Sequence, residues 1–261
     1  MVRRYTVHAP GARQVSVFIQ GCHTLTVSET VMARQPGGGM WLGDAEAEVG
    51  DRYWFVVDGV GPLLDPDATD VAMTPDGPRS VTRGGWPKQP SLGSRHHAPV
   101  VYEVHVRGFA RTFAGGLERL AYLADLGVSV IELMPVHPFD PSDNYWGYMP
   151  LVWGAVHGAY AAGDDAPAEL ASFVHAAHSY GLEVWLDVVF NHTGEGDATM
   201  PTLSLRGLDD ANAYLHRADG SYNDDSGCGN VSNPGDPYVR QLVLSALDRF
   251  ADLGIDGFRF D

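Results

Sequence analysis

The residues best suited to chemistry stand at the ends of two apolar runs. In GIDGFRFD (254–261), Arg259 and Asp261 lie two positions apart, so an extended backbone projects both side chains to one face. A guanidinium beside a carboxylate favours the ionised form and lowers its pKa. A permanently charged aspartate of that kind suits a nucleophile better than a general acid. A buried structural ion pair would use the same spacing, and one R-x-D carries little weight by itself. The second run, DVVFNH (187–192), puts Asp187 inside an extended segment and Asn191 and His192 at its mouth. Other candidates are poorer. His175 and His178 have the i, i+3 spacing of a helical chelate, yet no acid or cysteine accompanies them in the sequence. His96 and His97 are expected to be solvated, Glu195 to be a solvated loop acid, and Cys228 to be a small residue packed in a loop.

These residues need elements to hold them, and the chain divides in two. The first part reads as β: QVSVFIQ alternates Val15, Val17 and Ile19 with polar residues, the mark of a half-buried strand. DRYWFVVDG is a second strand ending on Asp58-Gly59, a hairpin-turn pair. From about residue 72 to residue 99 prolines and glycines accumulate, which reads as a linker or a poorly regular edge. After residue 99, strands rich in Val and Ile (VVYEVHV, VSVIELM, EVWLDVVF and the last run) alternate with helical patterns, as parallel strands covered by helices require. The clearest helix starts at Asp236-Pro237 and stops before Gly254; others carry Leu170, Phe173, Val174 and Ala177, and Leu117, Leu120 and Ala124.

Connections from helix to strand are very short (LGVSV, YGLEV, LGIDG), while those from strand to helix are long, near 135–165 and 191–235. That asymmetry is how a (β/α) barrel is elaborated at its active face. A doubly wound nucleotide fold would carry a glycine-rich loop after its first strand, and HVRGFARTF has no such pattern. The expected architecture is a β-sandwich over 1–85, a linker over 86–99, and about four β/α units of a TIM (β/α)8 barrel over 100–261.

Composition narrows the partner. Acidic residues outnumber basic ones by 33 to 17, so phosphate backbones and anionic membranes are disfavoured and a neutral or cationic ligand fits better. Cys22 and Cys228 form no C-x-x-C spacing, the start MVRRYTVHAPG lacks an apolar h-region, and no apolar run is long enough for a bilayer span. The expectation is a cytoplasmic protein without nucleic-acid or membrane partners; its oligomeric state is not read from the sequence.

DVVFNH followed by GFRFD, each ending a strand, resembles the first two signature regions of the α-amylase family of glycoside hydrolases, and NYWGY (144–148) resembles that family's aromatic element beside the scissile sugar. NYWGYMPLVWGAVHGAYA and SLRGLDDANAYLHRADGSYNDDSGCGN look like the glycogen-debranching and isoamylase branch. VHAPGARQVSVFI and LLDPDA are similar to the carbohydrate-binding β-module that precedes such barrels.

The resemblance implies the following roles. Asp261 is the nucleophile of a retaining mechanism and Arg259 holds it ionised. His192 hydrogen-bonds the reacting sugar, Tyr148 stacks on it, Trp146 extends that platform, and Asp187 supports the arginine. No cofactor is implied, Asn191 being the one candidate calcium ligand. The substrate implied is an α-glucan, cut at α-1,6 branches. A maltooligosyltrehalose trehalohydrolase, a branching enzyme and a non-catalytic glucan-binding protein are the alternatives.

A retaining glycosidase needs a second, protonated carboxyl group ~5–5.5 Å from the nucleophile. In the family that group is a glutamate ending the next strand, expected beyond residue 261. Four strands cannot close a barrel, so the 261 residues alone are expected to aggregate or stay partly molten; a compact, cooperatively melting monomer would argue against this. The purified chain is expected to release no appreciable reducing ends from pullulan or glycogen, and release would overturn the assignment of the missing acid.

Overall fold

The computed structural model of the chain describes residues 1–93, 98–142 and 144–261; the expected solvation of His96 and His97 falls outside them. The chain forms two compact units, Met1–Gly84 with Asn191–Leu242, and Gly85–Phe190 with Val243–Asp261. The strands are β1 (Val2–His8), β2 (Val15–Gln20), β3 (Val27–Val31), β4 (Ala33–Arg34), β5 (Met40–Glu46), β6 (Arg52–Val57), β7 (Val60–Leu63), β8 (Val71–Thr74), β9 (Gly77–Val81), β10 (Val101–Val104), β11 (Val130–Leu133), β12 (Glu183–Val188) and β13 (Gly257–Phe260). The helices are α1 (Val106–Ala110), α2 (Phe113–Leu117), α3 (Leu120–Asp125), α4 (Ala166–Ser179), α5 (Leu205–Ala213) and α6 (Pro237–Asp252). Among the described residues, no helix is long and apolar enough to cross a membrane.

In the first unit β1-β5-β4 form one antiparallel sheet and β3-β2-β6-β9-β8 another, with β7 paired to β6. The period-2 pattern of β2 sends Val15, Val17 and Ile19 into a core with Tyr5, Trp41 and Phe55. Phe18, on the opposite phase, stacks on Trp54. Asp58 and Gly59 both have positive φ, the requirement of a two-residue type I′ hairpin. The stretch read from sequence as linker or irregular edge starts instead with a hairpin, β8 and β9. Its turn is closed by Thr74, whose Oγ1 donates to Gly77 O at 2.7 Å and accepts from Asp76 N at 3.2 Å.

In the second unit β10-β11-β12-β13 are all parallel and in chain order. Ile131, Leu133, Val184 and Leu186 form its core with Leu170, Phe173 and Val174 of α4. Gly127, Gly181 and Gly254, each ending a helix before a strand, all take the left-handed conformation that lets the chain reverse within two residues. One expectation changes here. The helix expected through Leu117 and Ala124 divides into α2 and α3 at Glu118 and Arg119. A Cβ on Gly116 would lie 2.8 Å from the Phe173 ring. The last run forms β13, an outer strand of the sheet, with Phe260 exposed.

His178 is not half of a chelate. Its Nε2 bonds Asp256 Oδ2 at 2.8 Å, an acid 78 residues away that sequence proximity could not show. Asp256 also accepts from Val184 N, Leu92 N and Gly93 N. His175 is exposed.

Two other histidines carry a pH dependence. Burial pushes His137 and His157 down to about 4, whereas an unfolded histidine takes up its proton near 6.5. Between those values the unfolded chain binds more protons, so this contribution is complete above pH 6.5 and is lost as pH falls toward 4, on the order of 2–3 kcal/mol per ring. The melting temperature is expected to fall over that window. His157→Phe, which keeps a ring against Phe139, flattens the fall; an equal slope in wild type and variant would refute the attribution.

Candidate active site

The site grows from one pair in the parallel ladder. Asp187 of β12 stands directly beside Arg259 of β13, so both side chains leave the same face of the sheet. Arg259 Nη1 donates to Asp187 Oδ1 at 3.0 Å and Oδ2 at 2.9 Å, and to Asp261 Oδ1 at 2.6 Å. Asp261 N donates to Val188 O at 3.1 Å, continuing the ladder beyond β13. The side chain of Asp187 is 1% exposed, against 46% for Arg259 and 27% for Asp261. The inner carboxylate is thus desolvated while the outer one is open to solvent. Hydrogen bonds to Asp187 and then Asp261 raise the arginine pKa, making its charge permanent.

Tyr148 completes the group. Its hydroxyl donates to Asp187 Oδ2 at 2.7 Å, and burial, followed by that bond and the aspartate charge, raises its pKa. Asp187 therefore has donors on both oxygens, as a buried carboxylate must. Trp146 is placed elsewhere in the same unit. It is 54% exposed and lies edge-on to His105 and Tyr145, with ring centroids 5.4 Å away in each case. His105 anchors this aromatic cluster: Nδ1 accepts from Gly108 N at 3.1 Å, so Nε2 carries the proton donated to Tyr160 Oη at 3.1 Å.

Sequence reasoning missed Glu103 and Glu132. One oxygen of each, with one of Asp187, lies within 4.8 Å of the others. Burial, then the charges of Asp187 and Glu103, raises the Glu132 pKa. Three oxygen donors of this kind suit a hard cation, but the group also neighbours the Arg259 charge, which eases the Glu132 shift. The available signal was an acid in the middle of each apolar strand, VYEV and VIEL, paired across the register of β10 and β11.

Asn191 and His192 belong to the first unit. His192 is buried and its Nδ1 bonds Asn191 Oδ1 at 2.7 Å. An amide oxygen only accepts, so Nδ1 carries a proton and donates it in this bond. Glu195, expected to be solvated, is buried instead. Its carboxylate accepts from Leu203 N and Ser204 N at 2.8 Å, Arg206 N at 3.0 Å and Tyr214 Oη at 2.6 Å. The loop beyond it folds its own amide groups around the charge, which local sequence does not reveal.

Crowded carboxylates repel, and one guanidinium serves them. Glu132→Gln is therefore expected to raise the melting temperature at pH 7 by about 2–4 °C. Calorimetry showing no change or a decrease would mean that Glu132 is protonated or otherwise compensated.

Comparison with known proteins gives three kinds of match. Residues 106–222 match the model of the alpha amylase catalytic domain. Isoamylase 1, chloroplastic, of Oryza sativa subsp. japonica is 38% identical over 187 residues, 62% of this chain and 23% of that protein. The glycogen debranching enzyme of Dickeya chrysanthemi is 42% identical over 184 residues, 62% of this chain and 28% of that protein. The crystal structure of a pullulanase from Anoxybacillus sp. LM18-11, complexed with maltotetraose, superposes with a TM-score of 0.85 at 25% identity, covering 100% of this chain and 43% of that one. The aligned part of the chain spans about a quarter of the length of these curated relatives.

Proposed function

We propose that this chain, which belongs to the α-amylase family and has that family's fold in a mostly β-sheet N-terminal region and part of a catalytic domain, serves the hydrolysis of α-1,6 branch linkages in glycogen-like α-glucans. The relatives named isoamylase and glycogen debranching enzyme support the linkage, and the maltotetraose bound to the similar pullulanase supports the substrate class. In this reading residues 1–85 are a carbohydrate-binding-type β-sandwich, 86–99 a linker and 100–261 the first four β/α units of a (β/α)8 barrel. Two antiparallel sheets sharing a core, and four parallel strands in chain order, support that division. A cytoplasmic location is part of the proposal, supported by two free cysteines.

The observation that carries the reading is the single guanidinium nitrogen shared by Asp187 and Asp261. Asp261 attacks the anomeric carbon and becomes the ester-linked partner of the glucosyl unit as the glycosidic C–O bond breaks, the leaving oxygen taking its proton from the second carboxyl group that a retaining site requires. Arg259 Nη1 holds the attacking carboxylate in place through its 2.6 Å hydrogen bond. Asp187 fixes the arginine from below, and the Asp187–Tyr148 bond orients the tyrosine ring that stacks on the sugar. Trp146 offers an exposed aromatic face for a glucan chain, and His192 donates or accepts at a sugar hydroxyl. No residue of the chain is assigned the general-acid role.

Calorimetric titration of the full-length gene product with maltotetraose tests the substrate class, and Tyr148→Ala is expected to weaken binding about tenfold or more. In the full-length gene product, Asp261→Asn is expected to cut release of reducing ends from branched glucan by about four orders of magnitude or more while binding persists. Retained hydrolysis would remove Asp261 from the nucleophile role.

A further inference from the structure

The SGCGN stretch (226–230) has no part in the roles assigned above, yet its asparagine is 0% exposed. Its whole amide is directed at one neighbouring segment. Asn230 Oδ1 accepts from Thr193 N at 3.0 Å, and Nδ2 donates to Thr193 O and Gly196 O, each at 2.9 Å. Two residues on, Ser232 N donates to Asn191 O at 2.9 Å. His192 therefore lies between two tied points of its own backbone, Asn191 O on one side and Thr193 N and O on the other.

The glycine before the asparagine makes this approach feasible. Gly229 has a positive φ, and a Cβ there would stand 2.6 Å from Asp197 N and 2.9 Å from Gly196 C. Only a residue without a side chain lets the two segments lie so close. Asn230 is equally specific, since one acceptor and two donors must meet one N–H and two carbonyls. Aspartate cannot donate and leucine can do neither.

We propose that Asn230 is a positioning residue that holds the 191–196 backbone so that His192 presents its ring, Nδ1–H bound to Asn191, to an α-glucan. The proposal rests on the reading of His192 as a substrate-binding residue. Without Asn230, Thr193 N loses the acceptor that holds it, while Thr193 O keeps only the long bond from Gly196 N at 3.4 Å and Gly196 O only the bond from Arg206 Nη2, so the segment shifts to reach other partners. His192 loses its fixed tautomer with it. The motif then acts through the histidine and not as a sugar contact of its own.

Asn230→Ala and Asn230→Asp in the full-length gene product test this by nitrogen-resolved NMR of the histidine rings and by titration with maltotetraose. The wild type is expected to show His192 as the Nδ1–H tautomer, with His105, the opposite tautomer, as internal reference. Both variants are expected to convert the His192 signal to a mixture while His105 stays unchanged. Affinity for maltotetraose is expected to fall about tenfold, and the Asn230→Ala/His192→Ala double variant to be no weaker than His192→Ala alone. An unchanged His192 signal in both variants overturns the proposal, as does an additive double variant. If His192→Ala leaves affinity intact, the substrate role of His192 fails, and the ring signal alone decides on Asn230. Should Asn230→Ala not fold, Asn230→Asp, which keeps the acceptor for Thr193 N, carries the same comparison.

Discussion

One guanidinium nitrogen, shared by two carboxylates, is the interaction on which the proposed active site depends. Asp187 is almost fully removed from water, a state that is costly for an anion without close partners. Arg259 and Tyr148 supply them. The arginine then has a fixed position from which to reach Asp261. Because Arg259 and Asp261 are themselves partly open to solvent, this pairing contributes little to stability. Its contribution is geometric: it holds an anionic oxygen where the proposed chemistry needs one.

The same principle recurs away from the site. The side chains of Asp256, Glu195 and Asn230 are polar groups buried at the ends of strands or in loops, and each gathers hydrogen bonds from backbone, 8–11 residues away for Glu195 and 34 or more for Asp256 and Asn230. Asp256 ties residues 92 and 93 and the start of β12 together. Glu195 organises the loop that leads into α5, and Asn230 laces the segment carrying His192. Long loops without regular structure satisfy few backbone groups among themselves. A buried side chain with several acceptors or donors gives such a loop one conformation where a helix or strand would otherwise do so.

Much of this was legible before any coordinates. The alternation of β2 and the Asp58-Gly59 turn follow from period and turn chemistry. The asparagine-like logic of helix ends also held: Asp236 caps α6 through Tyr238 N and Val239 N, and glycine ends α4 and α6. What was not legible has identifiable causes. Glu103 and Glu132 were hidden because only strand register brings acids of different strands together.

By itself, then, the sequence determined most of the element types and the placement of Arg259 and Asp261 on one face, since both rest on residues within a few positions of one another. Tertiary structure alone decided that the Tyr148 hydroxyl bonds Asp187 and that His178 is bound to Asp256. These are contacts across tens of residues. Local propensity and periodicity report how a segment prefers to fold, but which charges come to share a hydrogen bond is set by register and packing, and those exist only once the segments have met.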